Sequence, residues 1–110
     1  MNPLTVRQHD TTTGPVLHVA GDLDYDQAPV LRDRVGRLPL SRGQCLVLDL
    51  SGLAFCDSSG ITALLAARQH ALAAGADIVL AAVPANLMRV ITLVGLDQVF
   101  TLRPDSSAAS

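Results

Sequence analysis

Cys45-Leu46-Val47-Leu48-Asp49-Leu50 is the stretch whose reading decides the fold. It is a nearly continuous apolar run without the alternation of a half-exposed strand, which marks a central strand covered on both faces. Beyond it, Ser51 to Asp57 reads as a loop leading into a helix. Ile61, Leu64, Leu65 and Leu72 give that helix an apolar stripe, its many alanines favour it, and Gly75 is placed to end it. Ile78 to Val83 reads as another buried strand. Pro84 then opens a helix with Leu87, Val90, Ile91 and Val94 facing inward and Gly95 stopping it, and Gln98 to Leu102 forms a last short strand. Upstream, Ala28, Leu31, Val35 and Leu38 recur at helical spacing, with Pro29 tolerated in the first turn and a break from Pro39 to Gly43. Leu4 to His9 and Val16 to Ala20 read as a hairpin around the turn residues Asp10 to Pro15, and Asp22 to Asp26 as an acidic loop.

The resulting order, β-β-α-β-α-β-α-β, predicts one α/β domain: a mixed sheet of about five strands with three main helices. The first two strands pair antiparallel, and the later crossovers are right-handed and parallel. The domain is expected over residues 1–104, with residues 105–110 as a flexible, small-residue tail.

Composition narrows the chemistry. The chain has 110 residues, 49% of them hydrophobic and 16% charged, which argues for a packed core over disorder. Its eight basic residues are all Arg and its ten acidic residues all Asp. Without Lys there is no phosphate-binding-loop lysine and no Schiff-base amine. Aromatics are 3% and the net charge is −2, so stacking platforms and a basic footprint for nucleic acid or anionic membrane are both missing. Cys45 and Cys56 fit neither a zinc site nor a redox pair, and His9, His18 and His70 share no metal-ligand spacing. No metal or cofactor is expected, and His70 reads as solvated surface. The start, Met1 to Arg7, lacks the pattern of a signal peptide and no apolar run nears the roughly 20 residues of a bilayer span, so the expected location is the cytoplasm.

Two segments carry candidate chemistry. Asp22-Leu23-Asp24 directly follows a strand and resembles the Asp-x-Asp loop of magnesium-dependent aspartyl phosphatases of the haloacid-dehalogenase type, where one carboxylate attacks phosphorus and the next serves as acid and base. The absence of Lys, and Tyr25-Asp26 where a Thr belongs, favour an acidic loop that simply begins a helix. Asp57-Ser58-Ser59-Gly60 is the second segment. Read locally, Asp57 or Ser58 caps the following helix. No His or nucleophile-elbow pattern makes either serine a catalytic nucleophile. Ser58 can instead be a substrate, because free N–H groups and the macrodipole at a helix N-terminus stabilise an added phosphate. Phosphate brings about −1.5 to −2 charges beside Asp57, with Asp22 and Asp24 facing it if the hairpin's exit loop lies alongside. A partner fitted to the neutral form would then be repelled, and moving a dissociation constant from nanomolar to micromolar takes about 4 kcal/mol.

Gly21-Asp22-Leu23-Asp24, then Leu48 to Ile61 (LDLSGLAFCDSSGI), resembles STAS domains of the anti-sigma factor antagonist type, and Leu87 to Phe100 is similar to that family's third helix and last strand. The similarity runs from about Leu4 to Leu102. It implies a non-enzymatic regulator: the unphosphorylated protein binds an anti-sigma factor, often a serine kinase, and frees a sigma factor. The kinase phosphorylates the serine after the motif's aspartate, here Ser58 after Asp57, with Ser59 second in line, and a metal-dependent serine phosphatase reverses it. Asp22, Asp24, Cys56, Asp57, Ser59 and Gly60 form the implied surroundings of the phosphate and partner. Alternatively, the same fold serves as a scaffold or a transporter-associated module without phosphorylation. The chain departs from the family in two places: Asp105 to Ser110 has little to build the usual further helix, and Cys56 stands where a bulkier residue such as Met is common.

Overall fold

The computed structural model describes residues 2–105; the tail expected at 105–110 lies, apart from its first residue, outside the described residues. A hairpin opens the chain, β1 (Thr5–Thr11) pairing antiparallel with β2 (Gly14–Leu23). Helix α1 (Ala28–Gly36) follows, with a proline in its first turn, and leads to β3 (Cys45–Cys56). Then come α2 (Ser58–Ala73), β4 (Asp77–Ala81), α3 (Ala85–Leu93), a 3₁₀ turn (Leu96–Gln98) and β5 (Thr101–Arg103). The sheet runs β1-β2-β3-β4-β5 in space as in sequence, every pair after the first being parallel. This is the mixed five-stranded α/β architecture expected from the order of elements.

The sequential order has a consequence. Right-handed crossovers that all step in one direction place every helix on the same face of the sheet. Residues of all three helices accordingly join one core: Leu31 and Val35 of α1, Leu64 and Ala67 of α2, and Leu87 and Ile91 of α3 pack with Leu17, Leu48, Leu50 and Leu80 of the strands. Val16, Val47, Val79 and Ala81, with Cys45 against them, make a second cluster that contains no helix residue and lies on the sheet's other face.

Several expectations are corrected. The supposed loop from Ser51 is strand as far as Cys56, and Asp22 belongs to β2. The two strands stay paired, Ala20 with Gly52, Gly21 with Leu53, Asp22 with Phe55 and Leu23 with Cys56, but the register shifts twice. Each shift places one extra residue on β3, so its inward side chains there are Leu50, Leu53 and Cys56. A spacing of three hides a strand from a search for a period of two. In α2 the buried seam is Gly60, Ala63, Leu64, Ala67 and Ala71, while Leu72 is exposed and Ile61 and Leu65 are half-buried. Small residues let that helix sit close to the sheet. In α3 only Leu87 and Ile91 are buried; Val90 and Val94 are exposed. His70, expected in solvent, is half-buried with its Nε2 at 3.3 Å from the Leu38 carbonyl oxygen. Finally, β4 ends at Ala81, and part of the expected last strand is the 3₁₀ turn, entered through Gly95 at φ 81°, a conformation that favours glycine.

Candidate functional site

The C-terminal ends of β2 and β3 lie side by side, and the chain passes from β3 into α2 at Asp57-Ser58. Asp57 is the N-cap of α2: its Oδ1 accepts the backbone N–H of Ser59 at 2.9 Å and of Gly60 at 3.1 Å. The cap contribution is about 1 kcal/mol, and it fixes the carboxylate at the helix start. Of the two local readings of the tetrapeptide, Asp57 is therefore the cap and Ser58 is released from that duty. Ser58 is the first helical residue and is exposed, whereas Ser59 is half-buried. Among the described residues the Ser58 hydroxyl makes no hydrogen bond.

Gly60 explains why this turn approaches β2 and β3 so closely. A Cβ at Gly60 would stand 2.5 Å from the Leu23 carbonyl oxygen and 2.6 Å from Cys56 Sγ, so only glycine fits without movement. Cys56 is itself half-buried. Burial, reinforced by the negative charge of Asp57, pushes its thiol up from an ordinary 9.0 to about 11. The thiolate nucleophile is thus suppressed at neutral pH, in keeping with a packing role.

The acidic pair is placed at this same end. Asp22 Oδ2 accepts the backbone N–H of Asn2 at 3.2 Å, and Asp24 Oδ1 accepts that of Gln27 at 3.0 Å at the approach to α1. Both carboxylates accept backbone N–H groups: Asp22 ties the start of the chain to β2, and Asp24 lies in the turn that leads to α1, its carbonyl accepting the N–H groups of Gln27 and Ala28. Among the described residues, no three His, Cys or Asp side chains are placed to hold a metal ion.

Two cavities flank the start of α2, and the two serines divide between them. Ser58 lines a groove of about 550 Å³ together with Cys56, Asp57, Ile61, Thr62, Val90, Val94 and Leu96. Ser59 lines the other, about 530 Å³, with Tyr25, Asp26, Arg32 and Thr62 among its walls. The groove on the Ser58 side is largely apolar, and Leu93, on the last turn of α3, is 79% exposed. Sequence reasoning missed Val90, Val94 and Leu96 as site residues because it assigned the two valines to the core. The overlooked signal was that α3 holds more apolar residues than a single inward stripe requires.

The geometry can be set beside known proteins. The family model described as "Mlab, STAS domain" matches residues 6–104. The anti-sigma-F factor antagonist RsfB of Mycobacterium tuberculosis is 30% identical over 99 residues, covering 90% of this chain and 80% of that protein. A crystal structure of an anti-sigma factor antagonist from Mycobacterium paratuberculosis has a TM-score of 0.74 and 29% identity, covering 94% of this chain and 87% of the other. The anti-sigma factor antagonist SpoIIAA in its unphosphorylated form has a TM-score of 0.68 at 16% identity, covering 96% and 92%, a likeness of fold alone.

Proposed function

The chain belongs to the STAS-domain family, and from that premise we propose that it is a non-enzymatic regulator of the anti-sigma factor antagonist type, switched by phosphate on Ser58. Its unphosphorylated form binds an anti-sigma factor of the serine-kinase type and so releases a sigma factor. Phosphorylation by that kinase ends binding, and a serine phosphatase restores it. The relatives are named for the coarser part of this role. The kinase and phosphatase are the part that the family resemblance implies.

One observation carries the choice of Ser58. It is an exposed hydroxyl at a helix N-terminus that also lines an apolar groove, next to a carboxylate already fixed by capping. The groove, apolar apart from Asp57 at its edge with Ser58 and Thr62, suits a largely apolar partner surface. A phosphate there is stabilised by the helix N-terminus within the free protein. In a complex the same dianion would be desolvated against Val90, Val94 and Leu96 beside the Asp57 carboxylate, which costs binding. Ser59 faces the cavity that holds Arg32 and is the second choice. No helix among the described residues is long and apolar enough to cross a membrane, and we place the switch in the cytoplasm with its partners.

The test pairs two experiments. Mass spectrometry of the protein from its source cells locates the phosphate, expected on Ser58. Ser58→Ala and Ser58→Asp proteins then serve as baits. A serine-kinase-type anti-sigma factor held by the alanine bait and lost from the aspartate bait is the expected result. Identical partners on both baits, with no phosphate on Ser58, would make the protein a constitutive scaffold or transporter-associated module.

A further inference from the structure

On the helix-free face of the sheet, three side chains from three adjacent strands form a chain. His18 Nδ1 lies 3.0 Å from Asp49 Oδ2, and His18 Nε2 lies 3.0 Å from His9 Nδ1. The two imidazoles are nearly parallel, with centroids 4.9 Å apart and planes inclined by 21°. A carboxylate only accepts, so His18 Nδ1 carries a proton and donates it to Asp49. In the neutral ring Nε2 then accepts from His9 Nδ1–H. Asp49 is buried, with a relative exposure of 7%, and its other oxygen, Oδ1, accepts the Ser51 N–H at 3.0 Å.

That second hydrogen bond falls at a telling place. Between His18–Asp49 and Ala20–Gly52 the register of β2 against β3 shifts by one residue, and Leu50 and Ser51 span the shift. A bulge of this kind leaves a backbone group unpaired and bends its strand. Asp49 spans the defect, gripping the Ser51 N–H with one oxygen and the neighbouring strand, through His18, with the other. Six residues, Gly52 to Asp57, run from this bulge to Ser58 with the second register shift among them, so the bulge sets the direction in which β3 sets out toward that site.

We propose that Asp49, oriented by His18 and His9, is a positioning residue that fixes the bulge in β3 and thereby the presentation of the Ser58 site. The functional meaning rests on the proposed phosphate switch at Ser58; the positioning itself can be measured on the free protein. His18 has a side chain 30% exposed and His9 is exposed, so both can be replaced without opening the core.

Amide hydrogen exchange of the free protein tests this. His18→Ala should speed exchange about tenfold at Ser51, Ser59 and Gly60, with Val79 and Leu80 in β4 unchanged, since local openings are separable from global unfolding. His18→Asn puts an amide N–H where Nδ1–H was and should return the rates to within about twofold of the parent. His9→Ala should have a smaller effect than His18→Ala. Equal acceleration at Leu80 would reduce the chain to a general stabiliser and overturn the proposal. Acceleration confined to Ser51, or a failure of His18→Asn to rescue, would overturn it too. If Ser58 carries no phosphate in cells, these exchange rates are unaffected, so the two failures are distinguishable.

Discussion

From Val47 to Asp49, β3 is paired on both edges, with β2 on one side and β4 on the other, after Cys45 and Leu46 have paired with β4; from Gly52 to Cys56 it is paired with β2 alone. The first half keeps its register, with Leu46 and Leu48 in the main core and Val47 in the second cluster. In the second half the ladder is shifted twice, Ala54 and Phe55 are exposed, and the chain hands over to the capped helix and the groove beside Ser58. One continuous strand thus combines a rigid anchor with a one-sided extension. The anchor's pairing and packing are saturated. The extension has no β4 partner and leaves Ala54 and Phe55 exposed.

Substitutions at the two ends can break or sharpen this contrast. The largest expected effect is in the anchor: Leu48→Ala should cost about 2–5 kcal/mol, read from chemical denaturation, because Leu48 is fully buried at the centre of the sheet. A loss below about 1 kcal/mol would show that the anchor is not saturated. Next is the junction: Asp57→Ala should cost about 1 kcal/mol by leaving the Ser59 and Gly60 N–H groups without their cap. Smallest is the extension's surface: Phe55→Ser should change stability by less than about 0.5 kcal/mol, since Phe55 is half exposed and in contact with solvent. A cost near that of Leu48→Ala would erase the distinction between the two halves.

Cys56, where the extension meets the core, adds a dependence on pH. Its thiol is held protonated in the fold up to about 11, against 9.0 ordinarily. Between those values the unfolded chain has released the proton while the folded chain retains it, so rising pH favours unfolding. Stability should therefore fall as the pH rises from about 9 to about 11, and Cys56→Ala should flatten that fall. Cys45, also raised by burial, contributes in the same direction, and its part remains in the variant. An unchanged slope in Cys56→Ala would place the thiol in solvent.

The anchor was legible because Cys45 to Leu50 carries its signal in composition alone, and the order of elements then followed from spacing and the handedness of crossovers. The extension was not legible. Its inward residues, Leu50, Leu53 and Cys56, sit three apart because of two bulges, and no local pattern announces a strand with that period. Part of the site could be read: Asp57 as a cap is a local matter of side chain and backbone, and Ser58 beside it followed from the motif. The groove could not, because whether Val90 and Val94 face inward or outward depends on how α3 is rotated against the sheet.

By itself, then, the sequence determined the class of fold, the central strand, the capped entry to α2 and the exclusion of chemistries that need Lys, since each depends on neighbours along the chain or on residue inventory. Tertiary structure alone decided the bulged extension of β3, the separation of Ser58 and Ser59 into different cavities and the joining of His9, His18 and Asp49. Those features depend on the register between strands and the seating of helices, where residues far apart in the chain first come within reach of one another.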